Sequence, residues 1–460
     1  MRHHLKRIHA RAKPYAGYAI IGLALLLLLS VIRASIFSEV PEDKKIWFEI
    51  AFILLVAISA ELLVSYLKQP MVMILLILGV AISPSAVSLA SPYISKAVVY
   101  AFSFAGMTVP ITETIPRLVP TEGFISVFAK LGAIFLLFKI GMHSEISKIF
   151  NGKNFLVALI GVILPFAAGY YYAAWMGHGF LYSMFLAAAL TATSVGVTAA
   201  VLEEFKVLDK EYAKIILGAA VIDDILGLLV LSIVVNAPSK LDASVLSPLA
   251  SVFATAIIFV IGGIKIGQYL VAKYFDKCCQ ADGRISNASF LAILVYVLSY
   301  AYVAEYIGLS AIVGAFLAGV TLNYSKNINK IIETFYPLEA FFTPIFFISL
   351  GMFVDIKALS ENLIPIIEIT AIAVATKMLG CSLMAAATKT RLKDSIIVGI
   401  GMIPRGEVAL IIGLYGLTMT TAAGGTVLST TEYSMIASMA FLTTVIVPPI
   451  LRKSMEYAGY

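Results

Sequence analysis

The sequence predicts an all-α polytopic membrane protein with about fourteen transmembrane helices, inverted repeats and two broken, crossing helices. Three observations carry that expectation. Sixty per cent of the 460 residues are hydrophobic and only 13% are charged, a balance that a water-soluble domain of this length could hold only by exposing large apolar patches. The apolar residues gather into runs of roughly 17–25, the length that crosses a bilayer as a helix. At one fixed offset, Gly141-Met142 falls on Gly351-Met352 and Gly196 of TATSVGVT on Gly406 of GMIPRGEV.

Taken in order, the opening MRHHLKRIHARAK is basic and leads into an apolar run over 15–37. A signal peptide has that polarity, but the run reaches transmembrane length and lacks a clear small-residue cleavage site, so it reads as a retained first helix. Further spans are expected at about 46–66, 70–89, 123–142, 154–175, 181–201, 213–236, 246–272, 286–306, 308–323, 337–354, 363–387, 394–418 and 432–451. The shortest, 308–323, is short enough to lie tilted or half-buried. Cys278, Cys279 and Cys381 form no pairable framework and no zinc-site spacing, and they read as packing residues.

Orientation follows from the basic residues, which concentrate in cytoplasmic loops. With the N-terminus inside, the inner connections hold Lys68, Lys148, Lys153, Lys206, Lys210, Lys273, Lys277, Arg284, Lys326, Lys330, Lys389, Arg391 and Lys393, and the tail adds Arg452 and Lys453. The outer connections hold only Lys44, Lys45, Lys96, Arg117, Lys240 and Lys357. Both termini are therefore expected in the cytoplasm, with the chain in a prokaryotic inner membrane. The net charge of +6 is scattered through these short loops, which encodes topology and gives no nucleic-acid surface.

At a shift of 210 residues, Gly141-Met142 falls on Gly351-Met352 and Glu145 on Asp355, while TATSVGVT (191–198) falls on GMIPRGEV (401–408). The related spans are seven apart, so their orientations are opposite. That is an inverted repeat, with an expected division into an N-terminus and extra helix (1–45), a first repeat (46–236), a linker helix (237–285) and a second repeat (286–460). Transporters built this way bind substrate near the midplane, between discontinuous helices. Thr, Ser and Gly inside one span, and Pro404 and Gly406 inside another, mark where those breaks are expected. Ordinary small-residue packing would explain either motif alone; their symmetric placement argues for more.

Asp223 and Asp224 fall almost at the middle of the 213–236 span, where an ionised carboxylate costs on the order of 2.5–3.5 kcal/mol. Consecutive helical residues diverge by about 100°, so the two acids face different neighbours and can have different roles. Lys377, near the middle of 363–387, is the natural partner of one. Arg405 and Glu407 add an opposite-charge set in 394–418, for which a structural ion pair is the simpler reading. Lys130, Lys139 and Lys265 lie near enough to span ends to snorkel. Glu203 and Glu204 read first as a solvated helix end, with an ion-attracting funnel as the alternative.

These residues resemble the monovalent cation/proton antiporter superfamily, in its paired-aspartate branch of bacterial sodium/proton antiporters, which is related to the membrane part of Kef-type potassium systems. The resemblance covers the chain from about Ile46 and rests on TATSVGVT, AAVIDDILGL, TKMLGC and PRGEV, supported by PIFFISLGMFVD. It implies that Asp224 is the principal carboxylate for cation and proton, binding Na+ directly, and that Asp223 pairs with Lys377 in part of the cycle. Thr193 and Ser194 would border the site, and Arg405 with Glu407 would hold the crossover together. It further implies a homodimer with a core domain moving against a dimerisation domain. Many relatives have thirteen spans where fourteen are counted here. Kef-type systems carry a soluble regulatory domain after the membrane part, whereas this chain ends at Tyr460 directly after its last span, which favours sodium over potassium.

The expected function is exchange of Na+ or Li+ for H+ by alternating access, with no cofactor and no enzymatic activity. Potassium/proton exchange and sodium-coupled symport of an organic anion are the alternatives. An intramembrane aspartyl protease also needs two buried acids, but they must converge from different helices, and neighbours such as Asp223 and Asp224 diverge. A passive channel is disfavoured by the inverted, broken helices.

Overall fold

A backbone in hydrocarbon has to satisfy its own N–H and C=O groups, and the apolar runs accordingly form helices. The structure, a computed structural model, describes residues 42–90, 124–145, 151–235, 246–275, 285–419 and 425–459. Among these, ten helices are long and apolar enough to cross a membrane, or eleven when one bent pair counts as a span. The expected first span at 15–37 and the Cys278-Cys279 pair lie outside the described residues.

In chain order the helices are α1 (Glu42–Leu67), α2 (Met71–Ala81), α3 (Pro84–Ala90), α4 (Phe124–Met142), α5 (Gly152–Trp175), α6 (Phe180–Thr191), α7 (Val195–Glu204), α8 (Glu211–Val235) and α9 (Leu246–Lys273). They continue as α10 (Asn287–Tyr306), α11 (Ala311–Leu322), α12 (Ile328–Met352), α13 (Ile356–Glu361), α14 (Leu363–Ala387), α15 (Leu392–Gly401), α16 (Glu407–Thr418) and α17 (Thr430–Ala458).

Local chemistry sets their ends. Ser286 and Ser310 accept hydrogen bonds from the first turns of α10 and α11, and Ser429 with Glu432 forms a reciprocal capping box on α17. Lys68, Lys206 and Lys389 take left-handed φ values of 53°, 56° and 64° just past α1, α7 and α14. Left-handed backbone cannot continue a helix, so it turns the chain there.

Two spans differ most from the sequence expectation. The 70–89 run is bent by 54° between α2 and α3, because Pro84 cannot donate a backbone bond and Ser83 instead caps the new helix through Ala86 N–H. The 337–354 span begins earlier, at Ile328, since its first turns carry Asn329, Lys330 and Glu333 and read as polar in a hydropathy scan.

The chain divides into two compact units, Met1–Gly132 with Phe342–Glu361, and Ala133–Phe341 with Asn362–Tyr460. In the first, Gly79 of α2 meets Gly351 of α12 so closely that a β-carbon on either would overlap a backbone carbonyl oxygen of the other helix. Ser85 bridges the same two elements, donating to the Val354 carbonyl at 2.9 Å and accepting from Ile356 N–H.

In the second unit, Gly141 of α4 meets Gly319 of α11 in the same manner, against the Phe316 and Phe138 carbonyls. The packing there forms two groups, which meet where α8 lies against α9. Helices α5, α6, α7, α8, α14, α15, α16 and α17 pack on one another, and α9, α10 and α11 do likewise. The Phe138–Phe335 and Phe290–Phe335 ring contacts attach α4 and α12 to the second group.

Candidate functional site

The first group of the larger unit contains the buried charges. Asp223 and Asp224 lie at the centre of α8, 1% and 8% exposed, and Lys377 of α14 is completely buried. Lys377 Nζ lies 2.7 Å from Asp223 Oδ1 and donates a second bond, also 2.7 Å, to the Thr191 carbonyl. That carbonyl is the last of α6, where a helix leaves its C=O groups without internal partners and carries partial negative charge. The ammonium is thus held by one full and one partial negative charge. Gly161 of α5 leaves room for the neighbouring Cys381, since a β-carbon there would sit 2.9 Å from its sulfur, and it borders Lys377 at ordinary contact distance. Cys381, one turn further along α14, is buried with its sulfur 3.7 Å from the Val157 carbonyl.

Residues 192–194 separate α6 from α7, and 402–406 separate α15 from α16. The two interruptions touch: Ser194 N–H donates to the Pro404 carbonyl at 2.7 Å. Gly406 packs on Ser194, and a β-carbon on it would sit 2.7 Å from Ser194 Oγ. Thr198 Oγ1 donates to the Gly401 carbonyl at 2.7 Å, satisfying the end of α15. Thr193 Oγ1 and Ser194 Oγ are buried and make no hydrogen bond. A buried orphan hydroxyl is costly, and here two stand side by side where the backbone is open.

Arg405 is 1% exposed. Its guanidinium donates to the carbonyls of Ile403 and Met402 and, at 2.9 Å, of Ala373 on α14. Its own backbone is gripped by α17, with N–H donating to Thr443 Oγ1 and the carbonyl accepting from Thr444 Oγ1 at 2.6 Å. Arg405 therefore fastens the interruption to α14 through the Ala373 carbonyl and to α17 through the Thr443 and Thr444 hydroxyls. The expected Glu407 partner has its side chain outside the described residues.

One polar cluster was absent from the expectation. Lys139 and Glu203, read above separately as a snorkelling residue and a helix end, are paired: Lys139 Nζ lies 2.5 Å from Glu203 Oε1 of α7 and 3.1 Å from Glu339 Oε2 of α12. The three residues stand on separate spans, 64 and 136 positions apart, so no local motif links them. The available signal was that Lys139 and Glu203 lie near span ends on the side rich in basic loops, while Glu339 lies near the start of the expected 337–354 run.

The chain matches the family "Sodium/hydrogen exchanger, transmembrane" over residues 50–453. It is 34% identical over 345 residues to the high-affinity Na+/H+ antiporter NhaS3 of Synechocystis sp., covering 73% of this chain and 72% of that protein. With the Na+/H+-K+ antiporter GerN of Bacillus cereus it shares 30% identity over 412 residues, 88% of this chain and 95% of the other. Among solved structures, the sodium proton antiporter MjNhaP1 from Methanocaldococcus jannaschii has a similar fold, with a TM-score of 0.62 at 16% identity over 91% of this chain and 97% of that one.

Proposed function

The chain belongs to the transmembrane sodium/hydrogen exchanger family, and from that premise we propose that it exchanges Na+ or Li+ for H+ by alternating access, with Asp224 taking cation and proton in turn. The observation that carries this reading is the division of labour on α8: of two adjacent buried acids, Asp223 holds Lys377 at 2.7 Å. The 100° between neighbours turns Asp224 to a different side of the helix. One carboxylate that holds either a proton or a dehydrated cation makes exchange obligatory, because each must leave before the other enters.

Carboxylate and hydroxyl oxygens are hard ligands suited to a small alkali cation. The unpartnered hydroxyls of Thr193 and Ser194 support those residues as its further ligands. The end of α6 is partially negative and the start of α7 partially positive, so the interruption can compensate changes of charge. Lys377 is the charge partner of Asp223, and Arg405 with Glu407 holds the crossover of the two broken helices.

The wider architecture in this reading is fourteen spans, with repeats at 46–236 and 286–460 joined by a linker at 237–285. Its support is that α4 and α12 both end in Gly-Met, that both glycines pack against a backbone carbonyl, and that interruptions occur at 192–194 and 402–406. The protein acts as a homodimer in a prokaryotic inner membrane with both termini cytoplasmic. Potassium is a second cation in this reading, favoured by the likeness to a relative named for Na+/H+ and K+.

The test is dissipation of a preset pH gradient in everted vesicles by Na+, Li+ or K+, comparing the wild type with Asp224→Asn. Cation-driven proton movement that disappears in the variant supports the assignment and identifies the ion. Movement that the variant leaves intact removes Asp224 from the mechanism.

A further inference from the structure

The cluster of Lys139, Glu203 and Glu339 has no part in the exchange chemistry above, yet it occupies a particular place in the packing. Glu203 lies in the last turn of α7, in the group of helices that holds Asp223, Asp224 and Lys377. Lys139 and Glu339 stand on α4 and α12, which pack with α10 and α11 in the other group through Gly141–Gly319, Phe138–Phe335 and Phe290–Phe335. The ion pair therefore joins the two groups at one end of α7. At its other end, α7 begins at the interruption that bears Thr193 and Ser194, about 12 Å away at 1.5 Å per residue.

We propose that Lys139, Glu203 and Glu339 form an ionic latch that ties the end of α7 to α4 and α12 in one state of the cycle and parts once per turnover. It rests on the exchange reading above, and it assigns positioning roles to these residues with no contact to the transported ion. The geometry suits a contact made and broken repeatedly. One ammonium is shared by two carboxylates at 2.5 and 3.1 Å and lies 5.1 Å from the Tyr336 ring centre. All three side chains keep 14–21% of their surface exposed, so water replaces the lost partner when they separate. Such partly solvated pairs are far weaker than fully buried ones. A contact present in one state alone biases the equilibrium between states without changing the affinity of either for its ligand. Glu339 also keeps the ammonium paired when Glu203 leaves, so a single charge crosses from partner to water.

The test uses the full chain with Cys278, Cys279 and Cys381 replaced by Ser and the double change Lys139→Cys with Glu203→Cys, joined by a short reversible bis-methanethiosulfonate in proteoliposomes. The latch predicts at least a tenfold loss of Na+-driven proton movement on cross-linking and recovery on reduction. Cross-linked protein that exchanges as fast as the reduced form overturns it. If the reduced form and the wild type alike move no protons with Na+, the exchange reading itself has failed. The latch is then judged by hydrogen exchange at Val195–Glu204: Lys139→Gln is expected to speed exchange there, Lys139→Arg to restore protection, and equal protection in all three forms rejects it.

Discussion

The two charged clusters of the larger unit use the same side-chain chemistry at different depths, and the depth decides what each can do. Lys377 and Asp223 are 0% and 1% exposed, whereas Lys139, Glu203 and Glu339 keep 15%, 21% and 14%. In the deep pair neither charge has water to fall back on, so Lys377 is held by a carboxylate and a helix-end carbonyl together. Losing a partner there strands a charge in low dielectric. The shallow cluster can lose a partner and rehydrate. Deep charges are thus fit to bind and discriminate an ion, and shallow ones to be released.

The sharpest way to break the comparison is Asp224→Asn, for which cation-driven proton movement is expected to fall to that of vesicles lacking the protein. Next in size is Lys377→Met, which leaves Asp223 buried without its ammonium. Removing one member of a buried pair costs about 3–5 kcal/mol, so thermal unfolding in detergent should shift down by many degrees, while the loss of charge at the partly solvated Lys139 in Lys139→Gln should shift it little. An equal shift in both would erase the distinction of depth.

Thr193→Val with Ser194→Ala comes third. In the proposed site each removed hydroxyl is expected to cost about 1 kcal/mol, with the net worth of a hydrogen bond as the guide, severalfold in affinity; the half-saturating Na+ concentration should rise with maximal rate less affected. An unchanged value takes the hydroxyls out of the site. The smallest effect is that of salt. Raising choline chloride from about 0.05 to 0.5 M shortens the screening length to a few ångströms, which weakens the exposed cluster and leaves the deep pair intact. The expected result is a change of severalfold or less in turnover, with half-saturation by Na+ constant.

Depth also explains what could be read beforehand. Asp223, Asp224 and Lys377 stand out in sequence because a charge inside a long apolar run has no solvated reading. TATSVGVT and PRGEV stand out because Thr, Ser, Pro and Gly interrupt such runs. Lys139 and Glu203 sit near span ends, where snorkelling is an adequate account, and nothing local pairs them with Glu339. The grip on Arg405 was equally hidden: its partners are the carbonyls of Met402, Ile403 and Ala373, and a backbone acceptor has no letter in a sequence. The bend at Pro84 had a written sign, but hydropathy averages across it.

The interrupted span from Phe180 to Glu204 is enclosed over its entire most apolar 18-residue stretch, unlike α10 or α14, which turn Tyr302 and Leu383 outward. Its Thr, Ser and Gly residues therefore face other side chains and never acyl chains. Lipid tails can act on that interruption only indirectly, by loading the helices around it. Bilayers of different thickness or fluidity should then alter how fast the protein turns over, while the preference among alkali cations stays a property of the polypeptide alone.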